Sequence, residues 1–142
     1  KTFVGIKEAS GDLIQTTRII KNKPDHFIVT SGDDEVALPM TAVGGDGVIS
    51  VMANALPKAF SQMINFALDQ DYYAARELNF KTYDLHKWLY IEGNPVGIKS
   101  AMEILGYGTN EVRLPLAPLS EINYAKLKDE LLKIVNSIDI GQ

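Results

Sequence analysis

The first half of the chain repeats one pattern: a short apolar run, a turn rich in Gly and Asp, then apolar residues at helical spacing. Phe3 to Lys7 is the first run, and Gly11-Asp12 follows it. The Asp12 carboxylate stands where it can accept the free N–H groups of a helix running to about Lys21. Lys23-Pro24-Asp25 breaks that helix. The β-branched run Phe27-Ile28-Val29-Thr30 then stops at Ser31-Gly32-Asp33-Asp34, ahead of a helix through Val36, Leu38 and Met40. Gly44-Gly45-Asp46-Gly47 turns the chain into Val48-Ile49-Ser50-Val51, and Pro57 to Leu68 carries Phe60, Ile64, Ala67 and Leu68 on one helical face. Strands alternating with helices predict a parallel sheet.

Beyond residue 70 the strand pattern ends. Tyr72 to Tyr90 reads as one long amphipathic helix, Pro95 to Leu105 as another closed by Gly106, and Tyr124 to Val135 as a last one after the Pro115 to Pro118 segment. Asn94 is expected to cap the helix that starts at Pro95. No repeat, charge block or low-complexity linker separates the two parts, so residues 1–70 and 71–142 are read as strand-helix units and helical extension of one domain. Parallel strands that are apolar on both faces need cover on both sides and neighbours at their edges. A closed (β/α)8 barrel would supply both, but it takes ~250 residues and eight such units. The chain opens on Lys1-Thr2-Phe3 without an initiator Met. We expect it to continue a longer polypeptide on that side.

Composition narrows the function classes. The 142 residues are 46% hydrophobic and 23% charged, ordinary for a folded globular unit. Net charge is −4 and the 14 Lys and Arg are scattered, so no basic stripe is available for nucleic acid or anionic lipid. Small molecules are the expected partners. Cys is absent, which removes disulfides and thiolate metal sites, and no apolar run approaches the ~20 residues of a membrane span. A cytoplasmic protein is expected.

Candidate chemistry gathers at the strand ends. Side chains alternate along a strand, so Phe3, Gly5 and Lys7 share one face and Val4 and Ile6 the other. In a barrel the apolar pair would meet the outer helices, and Lys7 would lie inside at the C-terminal end, where active sites of that architecture are built. Taken alone, a lysine at a strand end is more often a solvated charge. It becomes a nucleophile only as the neutral amine, which requires burial or a neighbouring cation. Gly5, on the same face, is expected to leave room for a small keto acid. Gly32 would let a ligand approach the backbone, and Asp33 or Asp34 would meet a hydroxyl or ammonium group, unless Asp34 caps the next helix. Ile49 and Ser50 would offer main-chain groups to a carboxylate. Gly44-Gly45-Asp46-Gly47 precedes a strand, so the phosphate-loop reading fails on context. His26 and His86 lack the spacing of metal ligands. Tyr72, Tyr73, Trp88 and Tyr90 read as packing residues.

Gly5-Ile6-Lys7-Glu8-Ala9-Ser10-Gly11-Asp12-Leu13 resembles the Schiff-base strand of the dihydrodipicolinate synthase family. Ser31-Gly32-Asp33-Asp34, Gly44-Gly45-Asp46-Gly47-Val48-Ile49-Ser50-Val51, Ala53-Asn54, Glu92-Gly93-Asn94-Pro95 and Leu114-Pro115-Leu116-Ala117-Pro118-Leu119 follow in the family's order. The resemblance runs the length of the chain and implies the C-terminal part of a (β/α)8 TIM barrel, three parallel βα units, with a helical C-terminal extension. Gly93 departs from the family, many members of which have Pro or another residue before Asn-Pro.

The resemblance implies a class I lyase in lysine and diaminopimelate biosynthesis. Lys7 would condense with pyruvate, and the resulting enamine would attack L-aspartate-4-semialdehyde to give 4-hydroxy-tetrahydrodipicolinate. Ile49 would border the pyruvate, and Gly32 and Asp33 would lie where the aldehyde enters. No metal or organic cofactor is implied beyond the covalent pyruvate imine on Lys7, and a homo-oligomer, tetramer or dimer, is expected. The family's catalytic tyrosine, paired threonines and arginine belong upstream of Lys1, so the chain by itself is expected to be inactive. Two alternatives remain. Sister pyruvate-dependent aldolases, such as N-acetylneuraminate lyase or keto-deoxy-sugar aldolases, share the lysine, although Glu8-Ala9-Ser10 and Ser31-Gly32-Asp33-Asp34 favour the synthase. A non-catalytic half-barrel that binds a keto acid or a partner subunit is the other.

Overall fold

The computed structural model describes residues 2–138; Lys1, on which the expected upstream continuation was read, lies outside them. The protein is an α/β structure with a parallel sheet followed by helices. Three strands, β1 (Gly5–Glu8), β2 (Ile28–Ser31) and β3 (Gly47–Val48), form a sheet in the order β1-β2-β3. Both pairings are parallel, with Gly5 beside Ile28, Lys7 beside Thr30, and Thr30 beside Gly47. The expected strand from Val48 to Val51 is shorter than its apolar run. After Val48 the chain leaves the ladder into a 3₁₀ turn at Met52–Asn54.

Helix α1 (Leu13–Asn22) starts as expected at Asp12, whose Oδ1 accepts the Ile14 and Gln15 N–H groups at 2.8 and 3.0 Å. Helix α2 (Ala37–Ala42) starts differently: its N-cap is Val36, with no side-chain cap. Asp34 therefore does not cap it. Its Oδ2 instead accepts the Val51 N–H at 3.0 Å, tying the loop after β2 to the segment after β3. At the opposite end of the sheet Asp46 fixes β3: its N–H donates to Val29 O, and its carboxylate accepts the Val29 N–H and Lys23 Nζ. Burial opposes that charge, but the bonds from Lys23 and Val29 outweigh it and hold the carboxyl below its ordinary value.

Helix α3 (Pro57–Leu68) has the bounds its pattern predicts. The expected single helix over Tyr72 to Tyr90 is two, α4 (Tyr72–Thr82) and α5 (Leu85–Tyr90), parted at Tyr83-Asp84, where the His86 N–H turns back to Tyr83 O. Tyr73 is 69% exposed and Tyr72 and Tyr90 are also exposed, so these tyrosines are not core residues. Helix α6 (Val96–Ile104) begins after a cis Asn94-Pro95 bond with Pro95 at its N-cap, so Asn94 does not cap it. Gly106, in the left-handed region at φ +82°, closes it as expected. Helix α7 (Glu121–Val135) is the last element of the described residues.

The chain forms two compact units, Lys1–Val51 with Ser61–Asn79, and Met52–Phe60 with Phe80–Gln142. The first holds the sheet, α1 and α2, with Val29, Ala37, Met40, Met63 and Ala67 buried. In the second, α5, α6 and α7 pack on one another around Leu85, Leu89, Ala101, Leu127 and Leu131. Gly97 makes this possible: a Cβ there would sit 2.3 Å from the Leu89 carbonyl oxygen. Among the described residues no helix is long and apolar enough to cross a membrane.

Candidate active site

The register sorts the sheet into two unlike faces. Partners in a parallel ladder point the same way, so Gly5, Lys7, Ile28, Thr30, Gly47 and, two residues on, Ile49 share one face. Ile6, Glu8, Val29, Ser31 and Val48 share the other. Glu8, Val29 and Ser31 on that second face are buried. The first face is open: Ile28 is 50% and Ile49 55% exposed, and Lys7 stands among them. Strand β1 has only β2 beside it among the described residues, and Val4 and Ile6 are exposed rather than packed under helices.

A cleft of about 270 Å³ lies on this open side, lined by Val4, Gly5, Ile6, Lys7, Ile28, Thr30 and Ile49. Apart from the ammonium of Lys7 and the hydroxyl of Thr30, its side chains are apolar. Lys7 and Ile49, two of the residues singled out from sequence, therefore line one concavity. Ile28 and Thr30 belong to it as well and were missed. Their signal was the same period-two alternation, but it needs the register between two strands to be read.

Gly32 meets Lys7 in a way the sequence does not disclose. A Cβ on Gly32 would lie 2.6 Å from Lys7 Cε, 3.0 Å from Lys7 Cγ and 2.7 Å from Ala9 Cβ. The space that glycine frees is filled by the lysine's own aliphatic stem. The Gly32 N–H also donates to Glu8 O at 2.6 Å, which clamps the end of β1 to the turn after β2. Gly5 has a different reason from the expected room for ligand. Its Cβ would sit 2.6 Å from Ile28 O, so the glycine is demanded by the neighbouring strand.

Asp33 and Gly32 are not among the residues that line the cleft; Asp33 is held in the loop after β2. Its Oδ1 accepts the Glu35 N–H at 2.9 Å, its N–H donates to Ser31 Oγ, and the Ser31 hydroxyl donates to Asp33 O. Its Oδ2 faces Gly11, where a Cβ would come within 3.3 Å, so the loops after β1 and β2 meet here. The Ile49 N–H is already used by Ser31 O at 2.8 Å.

On the covered face Glu8 is 5% exposed. Its Oε1 accepts the Ser10 N–H at 3.0 Å and the Gln15 amide at 3.1 Å, and its Oε2 accepts the Thr16 hydroxyl at 2.8 Å. Burial opposes ionisation, but hydrogen bonds from Ser10, Thr16 and Gln15 outweigh it and hold the carboxyl below the ordinary carboxylate value. Among the described residues no three His, Cys, Asp or Glu are grouped to hold a metal ion.

Residues 1–134 match the pattern of the Dihydrodipicolinate synthetase family. The 4-hydroxy-tetrahydrodipicolinate synthase of Methanosarcina barkeri is 47% identical over 135 residues, covering 94% of this chain and 46% of the relative. The dihydrodipicolinate synthase of Aquifex aeolicus superposes with a TM-score of 0.88 at 41% identity, over 92% of this chain and 44% of that one. The chloride-inhibited enzyme of Acinetobacter baumannii, complexed with pyruvate, does so with a TM-score of 0.89 at 38% identity, over 94% of this chain and 46% of that one. The chain thus spans about half the length of the relatives it matches. It belongs to the dihydrodipicolinate synthetase family.

Proposed function

We propose that this chain supplies the lysine-bearing part of a pyruvate-dependent lyase, a 4-hydroxy-tetrahydrodipicolinate synthase, and that residues 1–70 are the last three βα units of its (β/α)8 barrel. The observation that carries the reading is Lys7 itself. Its stem is seated on Gly32 at a strand end, in an apolar cleft, in a chain 47% identical to a relative bearing that name. The pyruvate bound by the Acinetobacter baumannii relative supports the substrate class.

In this reading the neutral Lys7 amine adds to the ketone carbon of pyruvate, and loss of water gives a protonated imine. The methyl carbon then gives up a proton to a base supplied by the rest of the enzyme, and the C–H electron pair becomes the carbon–carbon double bond of an enamine as the imine nitrogen regains its pair. That carbon forms a bond to the aldehyde carbon of L-aspartate-4-semialdehyde, whose oxygen takes up a proton. The amino group of the adduct then attacks the imine carbon, closes the ring and expels Lys7 as the free amine. Nothing is oxidised or reduced, and the protonated imine is the only electron sink required. The apolar walls of Ile28 and Ile49 help to exclude water from the reacting amine once the face is covered. The Ile49 carbonyl, rather than its committed N–H, is the main-chain group available to the bound keto acid. Asp33, next to Gly32 in the loop after β2, is the side chain we assign to the second substrate.

The test is borohydride trapping with pyruvate, followed by peptide mass mapping, on this chain fused behind the N-terminal half of the Methanosarcina barkeri relative. The expected result is a reduced pyruvate adduct on Lys7, with turnover abolished in Lys7→Ala. An adduct absent from Lys7 would refute the reading.

A further inference from the structure

We propose that Glu8 is a positioning residue for Lys7: its buried carboxylate pins the C-terminal end of β1 to α1 and so holds the lysine stem against Gly32. The proposal rests on the reading of Lys7 as nucleophile. Glu8 is the last residue of β1, where a parallel ladder gives out and the backbone is freest to move. Two sets of bonds prevent that. The Glu8 main-chain oxygen takes the Gly32 N–H, while its carboxylate takes the Ser10 N–H, the Gln15 amide and the Thr16 hydroxyl.

Alternation makes the consequence reach the other face. Lys7 and Ala9 leave the strand on the side of Gly32, with Ala9 Cβ and Lys7 Cε both crowding the space where its Cβ would be. Ala9 is the wall beside the lysine stem, and the turn that carries Ala9 is closed by the bond from the Ser10 N–H to Glu8. A carboxylate is a costly way to fill covered space, since every oxygen must be met by donors. Val29 on the same face shows that an apolar side chain packs there. What the carboxylate adds is direction: three donors from a turn and a helix converge on one point. Its ionised state, favoured by those donors, keeps all of them accepted at once.

Thr16 gives a test at a distance, because its side chain reaches Glu8 and lies on α1, across the sheet from Lys7. In the 142-residue chain, nuclear Overhauser contacts between the Lys7 side chain and Gly32 are expected to persist in Thr16→Ser and to weaken or vanish in Thr16→Val and Glu8→Ala. In the fused protein, the rate of pyruvate adduct formation on Lys7 should fall about tenfold in Thr16→Val, short of the roughly 10²-fold that a 1 Å misplacement costs. Thr16→Ser should restore it, whereas a merely structural role would lower melting temperature in both and leave the adduct rate alone. Contacts retained in Thr16→Val and Glu8→Ala, or lost equally in Thr16→Ser, overturn the proposal. If the unmutated fused protein forms no adduct while the contacts still respond, the catalytic reading of Lys7 falls and the hold of Glu8 on its stem stands.

Discussion

Replacing Gly32 with Ala probes the site most directly, because the structure states what the new methyl group would meet. Carbon atoms rest at about 3.5–4.0 Å, whereas the Gly32→Ala methyl would start 2.6 Å from Lys7 Cε and 2.7 Å from Ala9 Cβ. Both contacts are roughly 1 Å too short by that standard. The Lys7 stem can swing aside; Ala9 Cβ is fixed to the backbone and cannot. Relief therefore needs both a new lysine rotamer and a shift of the strand end, which the bond from the Gly32 N–H to Glu8 O opposes. Overpacking of this kind costs about 1–3 kcal/mol, or a fall in Tm of roughly 4–12 °C at about 4 °C per kcal/mol.

The displaced amine should lose more than the fold does. A 1 Å misplacement lowers rate by roughly 10²-fold, so in the fused protein Gly32→Ala should trap pyruvate on Lys7 about a hundredfold more slowly. Peptide mass mapping after borohydride and a thermal melt read the two effects separately. Adding Ala9→Gly removes the rigid obstacle and leaves the Lys7 clash, so the double variant should regain melting temperature before it regains adduct formation. A Gly32→Ala protein that melts and reacts like the parent would refute the account of the seat.

Two further substitutions address the scaffold. Gly97→Ala would place a methyl 2.3 Å from Leu89 O and 2.6 Å from Trp88 O, both backbone atoms that cannot turn away. It should therefore cost about 3 kcal/mol or more in urea unfolding; a midpoint equal to the parent's would disprove the close approach of α5 and α6. Asp46→Asn tests the charge that fixes β3. A carboxyl held below its ordinary value of about 3.8 stabilises the fold above that pH and loses the contribution as pH falls through the depressed value. The parent's urea midpoint should thus drop on acidification below about pH 3.8, and Asp46→Asn should start lower at pH 7 and drop less steeply. Parallel curves would contradict the assignment.

What was legible in the sequence was whatever one segment decides by itself. Asp12 caps α1 because its side chain needs only the next turn, and Pro57–Leu68 is a helix because its period and its N1 proline agree. The break at Tyr83-Asp84 was hidden: neither residue is a breaker, and the apolar spacing runs through it without interruption. The packing partners of the glycines were hidden for a related reason. Gly5 and Gly32 look alike within their own strands, but Gly5 answers to Ile28 and Gly32 to Lys7 and Ala9, and only the register between strands tells them apart. Ile28 and Thr30 entered the cleft by the same route.

If Lys7 is the Schiff-base lysine proposed above, the two faces of the sheet divide its requirements between them. Placement would come from within the chain: the Lys7 stem and Ala9 Cβ fill the space beside Gly32, and Glu8 bonds the strand end to α1 from the covered side. Desolvation is a separate requirement, because an amine on an open face stays hydrated whatever the position of its stem. The open face carries Ile28, Thr30 and Ile49 around Lys7, a surface apolar enough to exclude water only when something lies over it. Variants at Gly32, Glu8 or Thr16 should accordingly change how often the amine points at the ketone, whereas a polar substitution at Ile28 or Ile49 would act on the apolar wall beside it. The two effects separate in the assays: a loss of placement weakens the nuclear Overhauser contacts between Lys7 and Gly32, whereas a polar wall leaves those contacts intact and slows adduct formation alone.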